Sequence, residues 1–119
     1  MTPRLNDGEF VFCSVDETYQ INAADILGSF REKEGLTMIL SKEIADRHQL
    51  EYSFIACWIT LTVHSSLEAV GLTAAFSKAL SEKGISCNVV AAFFHDHIFV
   101  PAKDADKAME TLRRLSVNF

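Results

Sequence analysis

The residues from Phe54 onward carry an ordered series of signals that constrains the fold more than any other part of the chain. Ile55–Val63 is rich in β-branched and aromatic residues and predicts a strand. Ser65, with Glu68 three residues later, predicts a helix start: the serine hydroxyl caps a free backbone N–H while the glutamate reaches back to the Ser65 N–H. Apolar residues at helical spacing follow until Gly84, which predicts a left-handed helix end.

Two further apolar runs come next, separated by a very short polar break. Ser86–Phe94 and His97–Val100 predict an antiparallel hairpin whose tip is His95-Asp96. Apolar residues at spacings of three and four from about Asp104 to Leu115 then predict a closing amphipathic helix. The order β-α-β-β-α supplies five of the six elements of a ferredoxin-like βαββαβ unit, so we expect an α+β fold.

The sixth element, a fourth strand, is missing from the C-terminal half, because the residues after Leu115 are too few for it. We expect the N-terminal half to supply it. This half looks like a reduced counterpart of the second, and we expect two units, residues 1–53 and 54–119. Its predicted elements are three short strands and one helix: Phe10–Val15, Ile26–Arg31, Leu36–Leu40 and Ser41–His48.

The predicted hairpin is apolar on both faces, which is unusual for a sheet with helices on only one side. Val89 and Ala91 alternate with Val90 and Ala92, and Trp58 is expected to join them from the neighbouring strand. At roughly 25 cal/mol per Å² of apolar surface, leaving such a face in water forfeits several kcal/mol. We therefore expect the N-terminal half or a second chain to cover it.

Charge and hydropathy exclude several classes of partner. Lys and Arg total 11 against 16 Asp and Glu, a net charge of −5, and no basic run could neutralise a row of phosphates. We therefore expect neither nucleic acid nor membrane as a partner, and no segment approaches the ~18 apolar residues of a membrane span. The cytoplasm is the expected compartment. Three scattered cysteines, Cys13, Cys57 and Cys87, are expected to be small buried hydrophobes.

With these elements placed, the stretch from Phe54 to Leu112 resembles ACT domains, small ligand-sensing modules of amino-acid metabolism. The resemblance is carried by the strand leading into "HSSLEAVGLTAAF", the "GIS" entry to the next strand and the "HDH" hairpin before "IFVP". More loosely, "FREKEGLTMIL" is similar to the first half of small stand-alone proteins of tandem ACT-like domains. ACT repeats of cytosolic arginine sensors and of aspartate kinases are similar too.

The resemblance implies paired ACT units, a regulatory and non-enzymatic role, and a small-molecule effector, with an amino acid as the expected class. It implies a ligand site at an interface between two ACT units, and a homodimer, with no cofactor. The positions that match the family's pocket are the loop after the first strand with the start of the second: His64, Ser65, Ser66, Val70, Gly71, Leu72, Asn88 and Val89.

The sequence gives weaker support to metal binding and catalysis. His95 and His97 would share one face of an extended strand, but a metal site needs three or four ligands and no further candidate follows closely except Glu110. No serine stands beside an evident base, and the cysteines lie in apolar strands, so no catalytic residue is expected. The alternatives are a pure protein-interaction module without a ligand and a small metal-dependent ferredoxin-like enzyme.

Overall fold

The computed structural model describes residues 1–118, which form an α+β protein. Short 3-10 turns occupy Ala23–Asp25 and Ala102–Asp104. The remaining elements, in chain order, are β1 (Thr2–Leu5), β2 (Phe10–Val15), β3 (Gly28–Glu32), β4 (Gly35–Ser41), α1 (Lys42–Arg47), β5 (Ala56–Thr62), α2 (Ser66–Ala69), α3 (Leu72–Glu82), β6 (Asn88–Ala91), β7 (Asp96–Pro101) and α4 (Ala105–Asn118).

The chain divides into two compact units. One consists of the first seven residues together with everything from Cys57 onward, and the other of Gly8–Ala56. We call them the larger and the smaller unit. The larger unit therefore takes up residues 1–7, which the predicted division at residues 53 and 54 assigns to the other half. That division into two ACT-like segments of sequence stays a prediction.

The fourth strand of the larger unit comes from the start of the chain. The strand order is β1-β5-β7-β6, and β1 pairs antiparallel with β5 so that Thr2 lies opposite Thr62 and Leu5 opposite Ile59. An N-terminal donor was expected, but β1 itself carries little strand signal, since it has four residues and contains Pro3. With β1 in place, the unit has the complete ferredoxin-like set of four strands and two long helices, which cover one face of the sheet.

The core of the larger unit lies between the sheet and its two long helices. Phe76 and Leu80 of α3, Leu112 of α4, and Ile59 and Ile98 of the sheet are all fully buried there. The predicted end of α3 is confirmed: Gly84 is left-handed at φ 71°, and the Ile85 N–H donates to the Leu80 carbonyl at 3.0 Å. This Schellman ending turns the chain from the helix toward β6.

The smaller unit is a three-stranded antiparallel sheet with one short helix. Its strand order is β3-β4-β2, and its core is built on Val11, Met38, Leu40 and Ala45. β2 matches its predicted bounds, whereas β3 begins two residues later than expected, because a 3-10 turn precedes it. The α+β class, with two units of which the first is the smaller, is therefore confirmed.

The hairpin of the larger unit differs from its prediction. The register pairs Ala91 with Asp96, and the Ala92 N–H donates to the His95 carbonyl at 3.0 Å. The tip is therefore Phe93-Phe94, not His95-Asp96. Hairpin register depends on backbone pairing, and here β7 begins at Asp96 although the apolar run begins only after His97.

Candidate functional site

The loop that follows β5, residues 64–72, is fixed by a capping arrangement, and we call it the cap segment. The Ser65 hydroxyl accepts a hydrogen bond from the Glu68 N–H at 3.0 Å, as predicted. The Glu68 carboxylate, however, accepts from the N–H of His64 at 3.2 Å rather than from that of Ser65. The cap thus closes one residue earlier and holds a single helical turn, α2, over Ser66–Ala69.

The helix expected to run unbroken from Ser65 is interrupted at Val70 and Gly71, so that prediction is wrong. Val70 is extended and Gly71 is left-handed at φ 74°, which ends α2 and begins α3. A Cβ atom added to Gly71 would meet nothing within 4 Å, so backbone conformation rather than close packing favours glycine there. No side chain caps the first turn of α3, whose N–H groups suit an anion.

The charge of the cap segment is already neutralised. The Met1 ammonium forms an ion pair with the Glu68 carboxylate, and the Thr2 hydroxyl lies 2.7 Å from His64 Nε2. The pKa of Glu68 is lowered, chiefly by this ammonium and then by the His64 N–H. Sequence inspection missed Met1 and Thr2 as neighbours of the loop, since only the pairing of β1 with β5 brings them there.

The predicted site residues of this loop differ in what they can offer a ligand. His64, Ser65, Ser66 and Val70 are exposed, whereas the Leu72 side chain is fully buried in the core. Leu72 can therefore contribute its backbone N–H but not its side chain. Leu67, which was not among the predicted residues, is exposed beside them.

Asn88 and Val89 lie away from the cap segment within the same unit. Asn88 pairs with Phe99, which stacks on Trp58 near the start of β5, whereas the cap segment follows Thr62 at the end of that strand. Four residues of strand separate Trp58 from Thr62, or about 13 Å. One unit alone therefore does not bring Asn88 and the cap segment to a common ligand.

A polar network occupies the sheet face opposite the helices, and sequence inspection missed it. The Trp58 Nε1–H donates to His97 Nδ1 at 2.9 Å, and the Thr60 hydroxyl lies 3.1 Å from the same nitrogen. Asn6 donates to the Thr60 hydroxyl at 2.9 Å and accepts from Arg4 at 2.9 Å. The predicted apolar face is thus partly polar, and burial lowers the pKa of His97.

Metal and thiol chemistry find no support in the described residues. Within residues 1–118, no three His, Cys, Asp or Glu side chains are grouped so that they could hold a metal ion. Cys13 and Cys57 are buried and Cys87 is half-buried, as expected for small hydrophobes. Burial raises the pKa of all three thiols, that of Cys87 to about 11, which disfavours a reactive thiolate.

The strand order of the larger unit, the two long helices on one face of its sheet and the capped loop after β5 define a ferredoxin-like α+β unit. Two family models confirm the class: one described as an ACT domain matches residues 1–57, and a second, also an ACT domain, matches residues 53–114. The chain belongs to the ACT-domain family. ACT domains are typically regulatory, ligand-binding and non-catalytic modules.

Solved structures agree with this assignment. A protein of unknown function from Vibrio cholerae, described as a possible transport protein, is 45% identical over 95% of this chain and 88% of its own, with a TM-score of 0.83. The protein Atu0741 from Agobacterium tumefaciens is 17% identical over 94% of this chain and 86% of its own, at a TM-score of 0.75. The latter likeness shows the fold alone.

The regulatory subunit of aspartate kinase from Thermus thermophilus, in its ligand-free form, shares the fold at 10% identity and a TM-score of 0.60. The match covers 96% of this chain and 97% of the regulatory subunit. No curated protein matches the chain. None of the helices within residues 1–118 is long and apolar enough to span a membrane.

Proposed function

We propose that the chain is a non-catalytic regulatory module that binds a small effector, an amino acid, at the cap segment. The observation that carries the proposal is the uncapped start of α3 at Gly71, which directly adjoins the exposed and charge-neutral loop before it. Family membership supports a ligand-binding regulatory role. That the protein acts in the cytoplasm stays a prediction.

The cap segment offers complementary groups for an amino acid. The carboxylate would accept hydrogen bonds from the N–H groups of the first turn of α3, where the helix dipole also favours negative charge. The exposed Ser66 hydroxyl adds a polar contact, and Val70 adds an apolar one. Glu68 is committed to the Met1 ammonium, so an acceptor for the effector's own ammonium has to come from elsewhere.

Asn88 and Val89 reach a ligand at this loop only if another ACT unit supplies them. β6 lies at the edge of the sheet of the larger unit, and all four of its residues are exposed. Antiparallel pairing of two β6 strands from two copies would place Asn88 of one beside Ala91 of the other, at the hairpin end of the strand. The role of Asn88 and Val89 in ligand binding therefore stays a prediction, and it depends on how two copies associate.

A thermal-shift screen against the standard amino acids, followed by calorimetry on any stabiliser, tests the ligand claim. We expect Val70→Asp to weaken binding by about tenfold, equivalent to about 1.4 kcal/mol, because it sets a carboxylate beside the bound one. Phe30→Asp, an exposed position in the smaller unit, is the matched control and should bind normally. A folded protein that no amino acid stabilises would refute the proposal.

A pure protein-interaction module remains the second candidate, favoured by the exposed apolar side chains near the cap segment. It requires a stoichiometric partner protein under native conditions, whereas the effector proposal does not. A native pull-down that recovers such a partner, together with a blank amino-acid screen, would favour it.

A further inference from the structure

Strand register fixes which side chains lie on the sheet face opposite the helices of the larger unit. Arg4 lies opposite Thr60 in the pairing of β1 with β5. Thr60 and Trp58 both contact His97 of β7. The residues that alternate with them on β5 and β7 are buried in the core on the helical side. We call Arg4, Asn6, Trp58, Thr60 and His97 together the polar face.

This side of the sheet carries one permanently cationic side chain, that of Arg4, and no acidic one among the described residues. Register and alternation place five uncharged residues beside the polar face: Thr2, Thr62, Asn88, Val90 and Phe99. Asp96 precedes His97 in β7 and therefore projects to the other side. In a chain whose net charge is −5, such a surface favours an anionic ligand.

The Arg4 guanidinium pairs with no carboxylate within residues 1–118. Its hydrogen bond runs from Nη2 to the amide oxygen of Asn6, at 2.9 Å. A guanidinium has several N–H donors in a planar fork that matches the two oxygens of a carboxylate. Most of these donors remain for a ligand, and the side chain is exposed.

His97 supplies a second donor, and Trp58 fixes which nitrogen it is. An indole N–H can only donate, so His97 Nδ1 accepts from Trp58 at 2.9 Å and the ring proton is on Nε2. Burial lowers the pKa of His97, which keeps the ring in this neutral form. The Nε2–H has no partner within the described residues and is not buried. It can therefore donate to a ligand.

The donors of the polar face are held in place before any ligand binds. Asn6 donates to the Thr60 hydroxyl at 2.9 Å, and this hydroxyl lies 3.1 Å from His97 Nδ1. Ordered side chains lose little conformational entropy on binding, which favours affinity. Arg4 and His97 lie on strands to either side of β5, about 10 Å apart between strand axes. That separation suits a small organic molecule.

Trp58 adds an apolar surface next to these donors. Its ring stacks on Phe99 with 6.5 Å between centroids and is itself half-buried, so part of the indole is accessible. Val90, opposite His97 on β6, is 38% exposed. Ligand sites combine apolar walls with a few placed polar groups, and the polar face has both.

We propose that the polar face binds a small carboxylic acid that has an apolar body and no amino group. The carboxylate accepts hydrogen bonds from Arg4 and from the His97 Nε2–H, and the apolar body packs against Trp58. One guanidinium matches a single negative charge, and its fork fits a planar carboxylate. An amino acid is disfavoured, because this side of the sheet has no acidic side chain to hold an ammonium group.

This site goes beyond the proposed function and does not depend on it. The cap segment follows Thr62, about 13 Å along β5 from Trp58. The two sites also select different chemistry, since the cap segment is proposed to bind an amino acid. A ligand of one is therefore expected to be a poor ligand of the other.

Fluorescence of Trp58 tests the proposal directly, because it is the single tryptophan of the chain. The probe is phenylpropionate, with two analogues that each differ from it in one group: phenylpropionamide lacks the negative charge, and phenylalanine adds an ammonium. We expect a saturable change of fluorescence with phenylpropionate at concentrations up to about 10 mM. Both analogues should bind at least about tenfold more weakly.

Arg4→Gln removes the charge but keeps a polar side chain, and it should weaken phenylpropionate binding about tenfold or more. Arg4→Lys keeps the charge without the planar fork and should weaken it less. Arg31→Gln, the same substitution at an exposed arginine of the smaller unit, is the matched control and should bind like the wild type. Circular dichroism and unfolding curves establish that each variant is folded.

A folded wild-type chain whose Trp58 fluorescence does not respond to phenylpropionate would overturn the proposal. So would binding that Arg4→Gln leaves unchanged, or equal binding of the uncharged amide. The two proposals fail separately. A blank amino-acid screen together with phenylpropionate binding that depends on Arg4 removes only the effector. Amino-acid binding that Val70→Asp weakens, without any response to phenylpropionate, removes only the site on the polar face.

Discussion

Phe76 and Phe93 show how the same residue type serves two opposite purposes in the larger unit. Phe76 is fully buried between α3 and the sheet, among Leu80 and Ile98, whereas Phe93 stands almost wholly in water at the hairpin tip. Apolar composition does not separate the two. What separates them is whether an element of the same chain covers the side chain, so one residue stabilises the fold and the other is available for association.

The largest expected effect is the loss of the buried ring. Phe76→Ala should lower the free energy of unfolding by about 3–5 kcal/mol, because it removes apolar contacts and leaves a cavity that the surrounding core cannot fill. Chemical denaturation monitored by Trp58 fluorescence measures this. Such a loss is a large fraction of the stability of a small domain, so the variant is expected to be partly unfolded.

Phe93→Ala is the counterpart of that substitution at the exposed hairpin tip. Measured at a concentration where the chain is monomeric, it should change the free energy of unfolding by no more than about 0.5 kcal/mol. A loss of several kcal/mol would show that Phe93 packs within the chain. The contrast between the core and the hairpin tip would then be wrong.

The sequence predicts features that depend on neighbours along the chain better than features that depend on distant partners. The Ser65 cap and the Gly84 ending were predicted correctly, because each depends on residues within one helical turn. β1 was not recognised, because a four-residue strand containing Pro3 becomes a strand only when β5 offers it a partner. The polar network around His97 was missed for the same reason, since its members come from β1, β5 and β7.

The candidate site was predicted only in part on the same grounds. The cap segment is local in sequence, and its residues are grouped in the structure. The break at Val70 and Gly71 was not foreseen, because a glycine in a helical pattern is compatible with both a continuous and an interrupted helix. Asn88 is distant from the cap segment within the larger unit. No sequence pattern indicates whether the Asn88 of another copy reaches a ligand at that segment.

A smaller loss of stability is expected from substitutions at the two glycines that flank α3. Gly71 and Gly84 are both left-handed, at φ 74° and 71°, and a Cβ atom would meet nothing within 4 Å at either. Alanine at either position should therefore cost a similar amount of stability, about 1 kcal/mol, through backbone strain alone. Denaturation of the two variants side by side measures this cost.

Only Gly71→Ala is expected to change effector affinity as well, since Gly71 lies in the cap segment and Gly84 at the opposite end of the helix. Calorimetry of both variants with the stabilising amino acid distinguishes the two ends. Equal effects of both substitutions on binding would remove the functional distinction between them.

The smallest expected effect is a pH dependence of stability that arises in the sheet of the larger unit and not at its hairpin tip. His97 Nδ1 accepts a hydrogen bond from the Trp58 ring N–H and lies 3.1 Å from the Thr60 hydroxyl, both on β5, so a proton on this nitrogen would displace the Trp58 hydrogen bond. Burial is the main cause that lowers the pKa of His97 below its ordinary 6.5, and the neighbouring His95 lowers it further. Asp96 opposes this shift. Val90, which lies opposite His97 on β6, carries no charge.

The unfolded chain therefore binds more protons than the folded one just below pH 6.5, and the contribution of His97 to stability should fall as the pH is lowered below about 6.5 and stay level above that. Denaturation midpoints at a series of pH values measure the fall. His97→Gln, whose amide oxygen can accept from Trp58 without titrating, should flatten the profile in this range, whereas Phe93→Ala should leave it unchanged. A profile that is equally steep in the glutamine variant would assign the dependence to other histidines.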